Sequence, residues 1–118
     1  MSEINRETIR EMRLTYGQAG LTESDLAGDP IEQFKKWLGQ AHENIMVVEA
    51  NAMVLSTISD GAPVGRSVLL KDVSVDGFTF FTNYQSRKAD AISNNPNVSL
   101  VFPWYPMERQ VIIIGSAE

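Results

Sequence analysis

The spacing of apolar residues changes near residue 50 of the 118-residue chain. Before that point it is helical. Ile31, Phe34, Trp37, Leu38 and Ala41 fall on one face of IEQFKKWLGQAHEN, with Asp29 placed to cap the helix and Pro30 at its first position. Upstream, residues 1–16 read as a polar N-terminal arm, helix-compatible from residue 3, and Gly17 to Asp29 as a connector. From Ala52 the pattern is that of strands. AMVLSTI, the turn signal Asp60-Gly61 and VGRSVLLKDV predict a hairpin. Val75-Asp76-Gly77 is the next turn and leads into FTFFTN. A short helix around Ala89 to Ser93 follows, with Ser86 as N-cap and Asn94-Asn95-Pro96 as stop. NVSLVFPWY and ERQVIIIGSAE then pair across Pro106-Met107. Strands linked mostly by hairpins, with one inserted helix, predict a mainly β fold with flanking helices: a small antiparallel barrel in a single domain over residues 1–118. The apolar run VIIIG lies close to Glu118. A barrel ending there would leave an open edge, so either further chain or a partner is expected to cover it.

Composition narrows the chemistry. A net charge of −5 argues against a nucleic-acid surface, where affinity comes mainly from neutralising phosphates. No apolar run is long enough to cross a bilayer, and MSEINRETIREMR is too polar for a signal peptide. The absence of cysteine excludes disulfides and thiolate chemistry and fits a reducing cytosol. His42 is the only histidine, so a Ser-His-Asp triad or a zinc site would have to use it. It sits in the polar stretch GQAHEN and reads as solvent-facing; no metal site is expected. Neither GxGxxG nor GxxxxGK[ST] occurs, so no dinucleotide or P-loop motif is signalled.

Three places could carry chemistry. Arg87 and Lys88 follow Ser86, in the first turn of the short helix. Cations there face the positive end of the helix dipole, where acids are normally favoured. An anion bound between the amide N–H groups and both side chains would resolve the anomaly, with the Thr82 hydroxyl in support. A solvated basic pair is the plain alternative. RSVLLK adds Arg66 and Lys71 around an apolar run, where cations at strand ends can also simply snorkel to solvent. Residues five apart on a regular strand point to opposite faces. The two therefore serve different anionic groups unless a bulge intervenes. Gln110 shares a face with Ile112 and Ile114, while Val111 and Ile113 take the other. Its amide could match a heterocycle edge that alternates C=O and N–H, or it could merely begin an exposed strand end. Trp104 and Tyr105 read as packing residues.

RSVLLK, FFTNYQSRKADAISNNPNVSLVFPW and ERQVIIIGSAE together resemble the pyridoxine/pyridoxamine 5′-phosphate oxidases, flavoenzymes built on an FMN-binding split β-barrel. The likeness reaches back through DPIEQFKKWL to MRLTYGQAGL. No single motif is decisive; the ordered set is. The resemblance implies a cytoplasmic homodimer with FMN at the subunit interface. Arg66, Ser67, Val68, Leu69, Leu70 and Lys71 would line FMN, with Arg66, Arg87 and Lys88 around its phosphate. Phe81 and Thr82 would contribute from a strand end, and Gln110 would meet the flavin ring. Lys71 would also meet the substrate phosphate, with Arg13 and Tyr16 closing over the substrate. By themselves Arg13 and Tyr16 read as an ordinary polar helix turn.

The implied reaction oxidises C4′ of pyridoxine or pyridoxamine 5′-phosphate to the aldehyde of pyridoxal 5′-phosphate, with dioxygen as the final acceptor. It belongs to vitamin B6 biosynthesis and salvage, and the cofactor carries the hard chemistry. This accounts for the lack of a nucleophile or triad. Family members continue well beyond the position matching Glu118, and that part supplies further flavin contacts and a substrate clamp. The chain is therefore expected to be C-terminally incomplete. Two other functions compete: a non-catalytic FMN-binding module or fragment, and another split-barrel flavoprotein such as a flavin or deazaflavin-dependent reductase. The pairing of RSVLLK with QSRKA favours the oxidase over the reductases.

Overall fold

The structure, a computed structural model, describes residues 4–12, 21–83 and 85–118. Among the described residues, three α-helices, Arg6–Glu11 (α1), Pro30–Glu43 (α2) and Arg87–Asn94 (α3), accompany five strands. These are Ala52–Ser59 (β1), Ala62–Ser74 (β2), Gly77–Phe80 (β3), Asn97–Trp104 (β4) and Arg109–Ser116 (β5). The strands form one sheet in the order β3-β2-β1-β4-β5, and every pairing is antiparallel. The sheet is a curled half-barrel with β3 and β5 as its edges. A cleft of about 470 Å³ separates β3 from the end of β5, bordered by Phe78, Phe80, Ile92 and Ala117.

Local chemistry explains the turns. Asp60 and Gly61 both adopt positive φ, at 50° and 79°. Two consecutive left-handed residues match the right-handed twist of a hairpin, which is why Asp-Gly suits a two-residue link. Between β4 and β5 the chain makes a 3-10 turn over Tyr105–Met107, and Glu108 closes it at φ 51°. Asp29 caps α2 by accepting from the Glu32 amide at 3.2 Å, and Pro30 opens the helix.

One face of the sheet holds the core. Met53, Leu55 and Thr57 alternate along β1, opposite Val68, Arg66 and Val64 of β2, and Leu100 pairs with Leu55 across β4. The buried side of α2 lies on this face. Phe34 meets Phe78 and Phe102 edge-on, at centroid distances of 5.0 and 4.9 Å, and lies 5.9 Å from Trp104. Trp104 donates its indole N–H to the Ala50 carbonyl at 3.0 Å, so its polar atom is satisfied inside the core. Arg109 links β5 to α2 by stacking over the Trp37 ring at 4.6 Å and donating to Gln40. The opposite, outer face lacks such cover: Ile112 is 55% and Ile114 83% exposed.

Several expectations need correction. β3 stops at Phe80, so Phe81 lies beyond the strand and is 73% exposed. In the arm, Arg6–Glu11 is helical, while residues 1–3 and 13–16 lie outside the described residues. Tyr105 is exposed at the β4–β5 turn instead of packing, whereas Trp104 is buried as expected. The pairing of β2 with β3 shifts register between Leu70 and Asp72, which leaves Lys71 as the extra residue of a bulge.

Phe34 touches three aromatic rings at once, so truncating it empties the seat of α2. Phe34→Ala is expected to lower unfolding free energy by about 3–5 kcal/mol in urea denaturation. A loss below about 1 kcal/mol would show that α2 does not seat on the sheet through this ring.

Candidate anion site at the start of α3 and on β2

The segment entering α3 is held by short side chains. Asn83 accepts from the Gln85 amide at 2.8 Å through its side chain and from the Ser86 amide at 2.9 Å through its carbonyl. Ser86 Oγ then accepts from the Ala89 amide at 3.2 Å, which is the N-cap expected at that position. Thr82 Oγ1 lies 3.2 Å from the same Ser86 Oγ, so the strand exit and the helix entrance share a hydroxyl pair. Arg87 and Lys88 occupy the first helical turn, Arg87 exposed and Lys88 half-buried. Neither forms a salt bridge with a described carboxylate. Arg87 does border a shallow cavity beside the β1–β2 turn whose rim includes Asp60 and Asp90. The helix is anchored by buried Ala91 and packs against β1.

Arg66 is a cation on the core face of β2. An arginine there must donate, because it carries five N–H groups and no acceptor. Its Nη1 donates to Thr57 Oγ1 at 2.6 Å, with a longer contact to the Leu55 carbonyl at 3.5 Å. Thr57 is 1% exposed, the only polar residue in the core among the described residues. Neither Nε nor Nη2 of Arg66 donates to a described residue. These two groups form one edge of the fork, the edge that binds a carboxylate or phosphate through parallel N–H bonds.

The remaining candidates divide between two faces. Val68 and Leu70 lie on the core side with Arg66, while Ser67 and Leu69 face outward. Gln110 also faces outward; it is exposed opposite Pro103, in line with Ile112 and Ile114. Arg66 and Gln110 of one chain are thus on opposite sides of the sheet. Lys71 is exposed at the bulge. Strict two-residue alternation does not hold across a bulge, so the periodicity argument for two separate anions loses its premise. Phe81 is exposed and Thr82 half-buried. Arg13 and Tyr16 lie outside the described residues. Thr57 was not singled out by the sequence reading. Its signal was the alternation Met53, Leu55, Thr57, which places a hydroxyl at a core position.

The donor set suits a phosphate ester. Arg66 has an edge that donates to no described residue, α3 has two cations at its first turn, and Thr82 and Ser86 offer hydroxyls. All are donors to, or cations for, a dianion. Among the described residues there is no group of three or more His, Asp or Glu side chains that could hold a metal ion.

An antiparallel half-barrel with this donor set is of the split-barrel class. A tetrahydrophenazine-1-carboxylic acid complex of PhzG from Burkholderia lata superposes with a TM-score of 0.73 at 27% identity, over 84% of this chain and 50% of that one. A Nostoc punctiforme protein described as pyridoxamine 5′-phosphate oxidase-related and FMN binding gives a TM-score of 0.60 at 25% identity, over 77% and 47%. Residues 38–118 match the family described as Pyridoxamine 5′-phosphate oxidase, and the chain belongs to that family. A Nocardioides protein named pyridoxine/pyridoxamine 5′-phosphate oxidase is 53% identical over 110 residues, which are 92% of this chain and 51% of that protein. The chain spans about half the length of the curated relatives it matches.

The cap makes a local prediction. Ser86→Ala removes the acceptor for the Ala89 amide and is expected to cost about 1 kcal/mol of stability by thermal or urea unfolding. An unchanged midpoint would show that the α3 entrance is held by Asn83 alone.

Proposed function

We propose that this chain holds the phosphate end of FMN in an oxidase that converts pyridoxine or pyridoxamine 5′-phosphate to pyridoxal 5′-phosphate with dioxygen. The observation that carries this reading is the pair of cations in the first turn of α3, lying within the family-matched region. Arg87 and Lys88 neutralise the phosphate, the Arg66 fork takes two of its oxygens, and Thr82 adds a hydroxyl. Residues Ser67 to Leu70 form a strand wall beside the cofactor, and Phe81 adds apolar surface at the strand exit. Gln110 offers an amide to the flavin ring. Lys71 meets the substrate phosphate, and Arg13 and Tyr16 cover the substrate. When bound, FMN would supply the two-electron oxidation at C4′ with dioxygen as final acceptor and hydrogen peroxide as by-product; with the amine substrate, water would then hydrolyse the imine and release ammonia. The protein positions C4′ and excludes competing reactions.

A homodimer with FMN at the interface fits the division of site residues. Gln110 is on the outer face with exposed Ile112 and Ile114, away from Arg66. A partner packed on that face would bury these isoleucines and cover Gln110. A cytoplasmic setting fits the lack of cysteine, and no described helix is long and apolar enough to cross a membrane.

The test is a titration with FMN followed by quenching of flavin fluorescence, repeated with Arg87 and Lys88 both changed to Ala. Saturable binding is expected, weakened about 100-fold or more in the double variant, since two charge-assisted hydrogen bonds are lost. Raising the salt concentration should weaken the wild type more than the variant. Equal affinity in both proteins would remove the phosphate from the start of α3. Saturable binding without oxidation of pyridoxine 5′-phosphate would leave an FMN-binding module without turnover.

A further inference from the structure

We propose that Thr57 is a positioning residue for the phosphate site, acting through Arg66. This rests on the FMN reading above and adds a residue to it. The starting observation is a mismatch of polarity. β1 presents Met53, Leu55 and Thr57 to the core, and Thr57 is almost fully buried, where an apolar residue would pack without polar cost. Its hydroxyl has one visible partner, Nη1 of Arg66 at 2.6 Å. Thr57 and Arg66 are not direct cross-strand partners, since Arg66 pairs with Leu55 and Thr57 with Val64. The contact is diagonal, so the guanidinium leans along the sheet toward the β1–β2 turn.

The lean fixes the orientation of the fork. An arginine has four rotatable side-chain bonds, and a flexible cation loses entropy when it is immobilised on a ligand. Fastening Nη1 to a buried hydroxyl on a central strand settles that orientation before any ligand arrives. It also uses the donor that a bidentate oxyanion contact can spare, leaving the Nε and Nη2 edge presented. Thr57 itself is buried and touches no ligand; what it sets is where the Arg66 edge points.

The experiment compares affinities for FMN and for riboflavin, which lacks only the phosphate, in the wild type, Thr57→Val, Thr57→Ser and Arg66→Lys. The wild type should prefer FMN. Thr57→Val should weaken FMN binding about tenfold, the order expected when a hydrogen bond to a charged group is lost, and leave riboflavin binding unchanged. Thr57→Ser, which keeps the hydroxyl, should restore most of the preference. Arg66→Lys keeps the charge but cannot bond Thr57 and present a fork at once, so it should show the same phosphate-selective loss. If Thr57→Val weakens both ligands equally, Thr57 is a packing residue and the proposal is overturned. A wild-type FMN-to-riboflavin ratio in Thr57→Val overturns it too. Should Thr57→Val not fold, a wild-type ratio in Arg66→Lys has the same force. A wild-type chain with no preference for FMN sinks the FMN reading itself, and the role of Thr57 falls with it.

Discussion

The pairing of β1 with β4 is the constraint on which the rest of the molecule depends. β1, β2 and β3 form one meander, β4 and β5 one hairpin, and only this ladder joins them into a sheet. Its register is Val54 with Val101, Leu55 with Leu100 and Ser56 with Ser99. A slip of one residue would turn every side chain of one unit to the wrong face. In the observed register, Arg66, Leu55, Leu100 and Ile113 form a row across four strands on the core side. α3 lies in the connection between the two units and packs on β1, so the same ladder that aligns the core also brings the α3 cations to the sheet.

The core and the Arg66–Thr57 pair share that face, and the two are reconciled by position. Aromatic rings from α2, β3 and β4 fill one end, where Phe34 meets Phe78, Phe102 and Trp104. Toward the β1–β2 turn the apolar filling gives way to Thr57 and Arg66. A guanidinium placed among the rings would go unpaired. At the end of the face it keeps one buried acceptor and one open edge. The core therefore fades into a polar mouth without leaving a buried charge stranded.

Much of this was legible in the sequence because it is written in local rules. The alternation along AMVLSTI, the Asp60-Gly61 link, the Asp29 and Ser86 caps and the pairing of the last two strands need only neighbours to be right. The faces of Gln110, Ile112 and Ile114 followed from period two, and Gln110 is exposed on the outer one. What escaped depends on contacts between segments. The bulge at Lys71 is a property of the β2–β3 pairing, and RSVLLKDV carries no glycine to announce it. β3 ends at Phe80 although its partner β2 runs on past Leu70, so neither the β propensity of Phe81 nor the length of β2 sets that end. The Arg66–Thr57 bond is a diagonal between strands, invisible to a reading that takes each strand alone.

The Asp60-Gly61 turn has a consequence for the order in which the molecule assembles. Eight residue pairs of β1 and β2 close directly behind two residues already twisted for a hairpin. Such a closure confines very little chain, and isolated hairpins form in about 1–10 μs. Joining β1 to β4 confines the chain from Ser56 to Ser99 and has to wait for that loop to close. Thr57 and Arg66 are nine residues apart within the early hairpin. Their contact therefore belongs to the fast, local part of folding, and the arginine can be set before the sheet around it is complete.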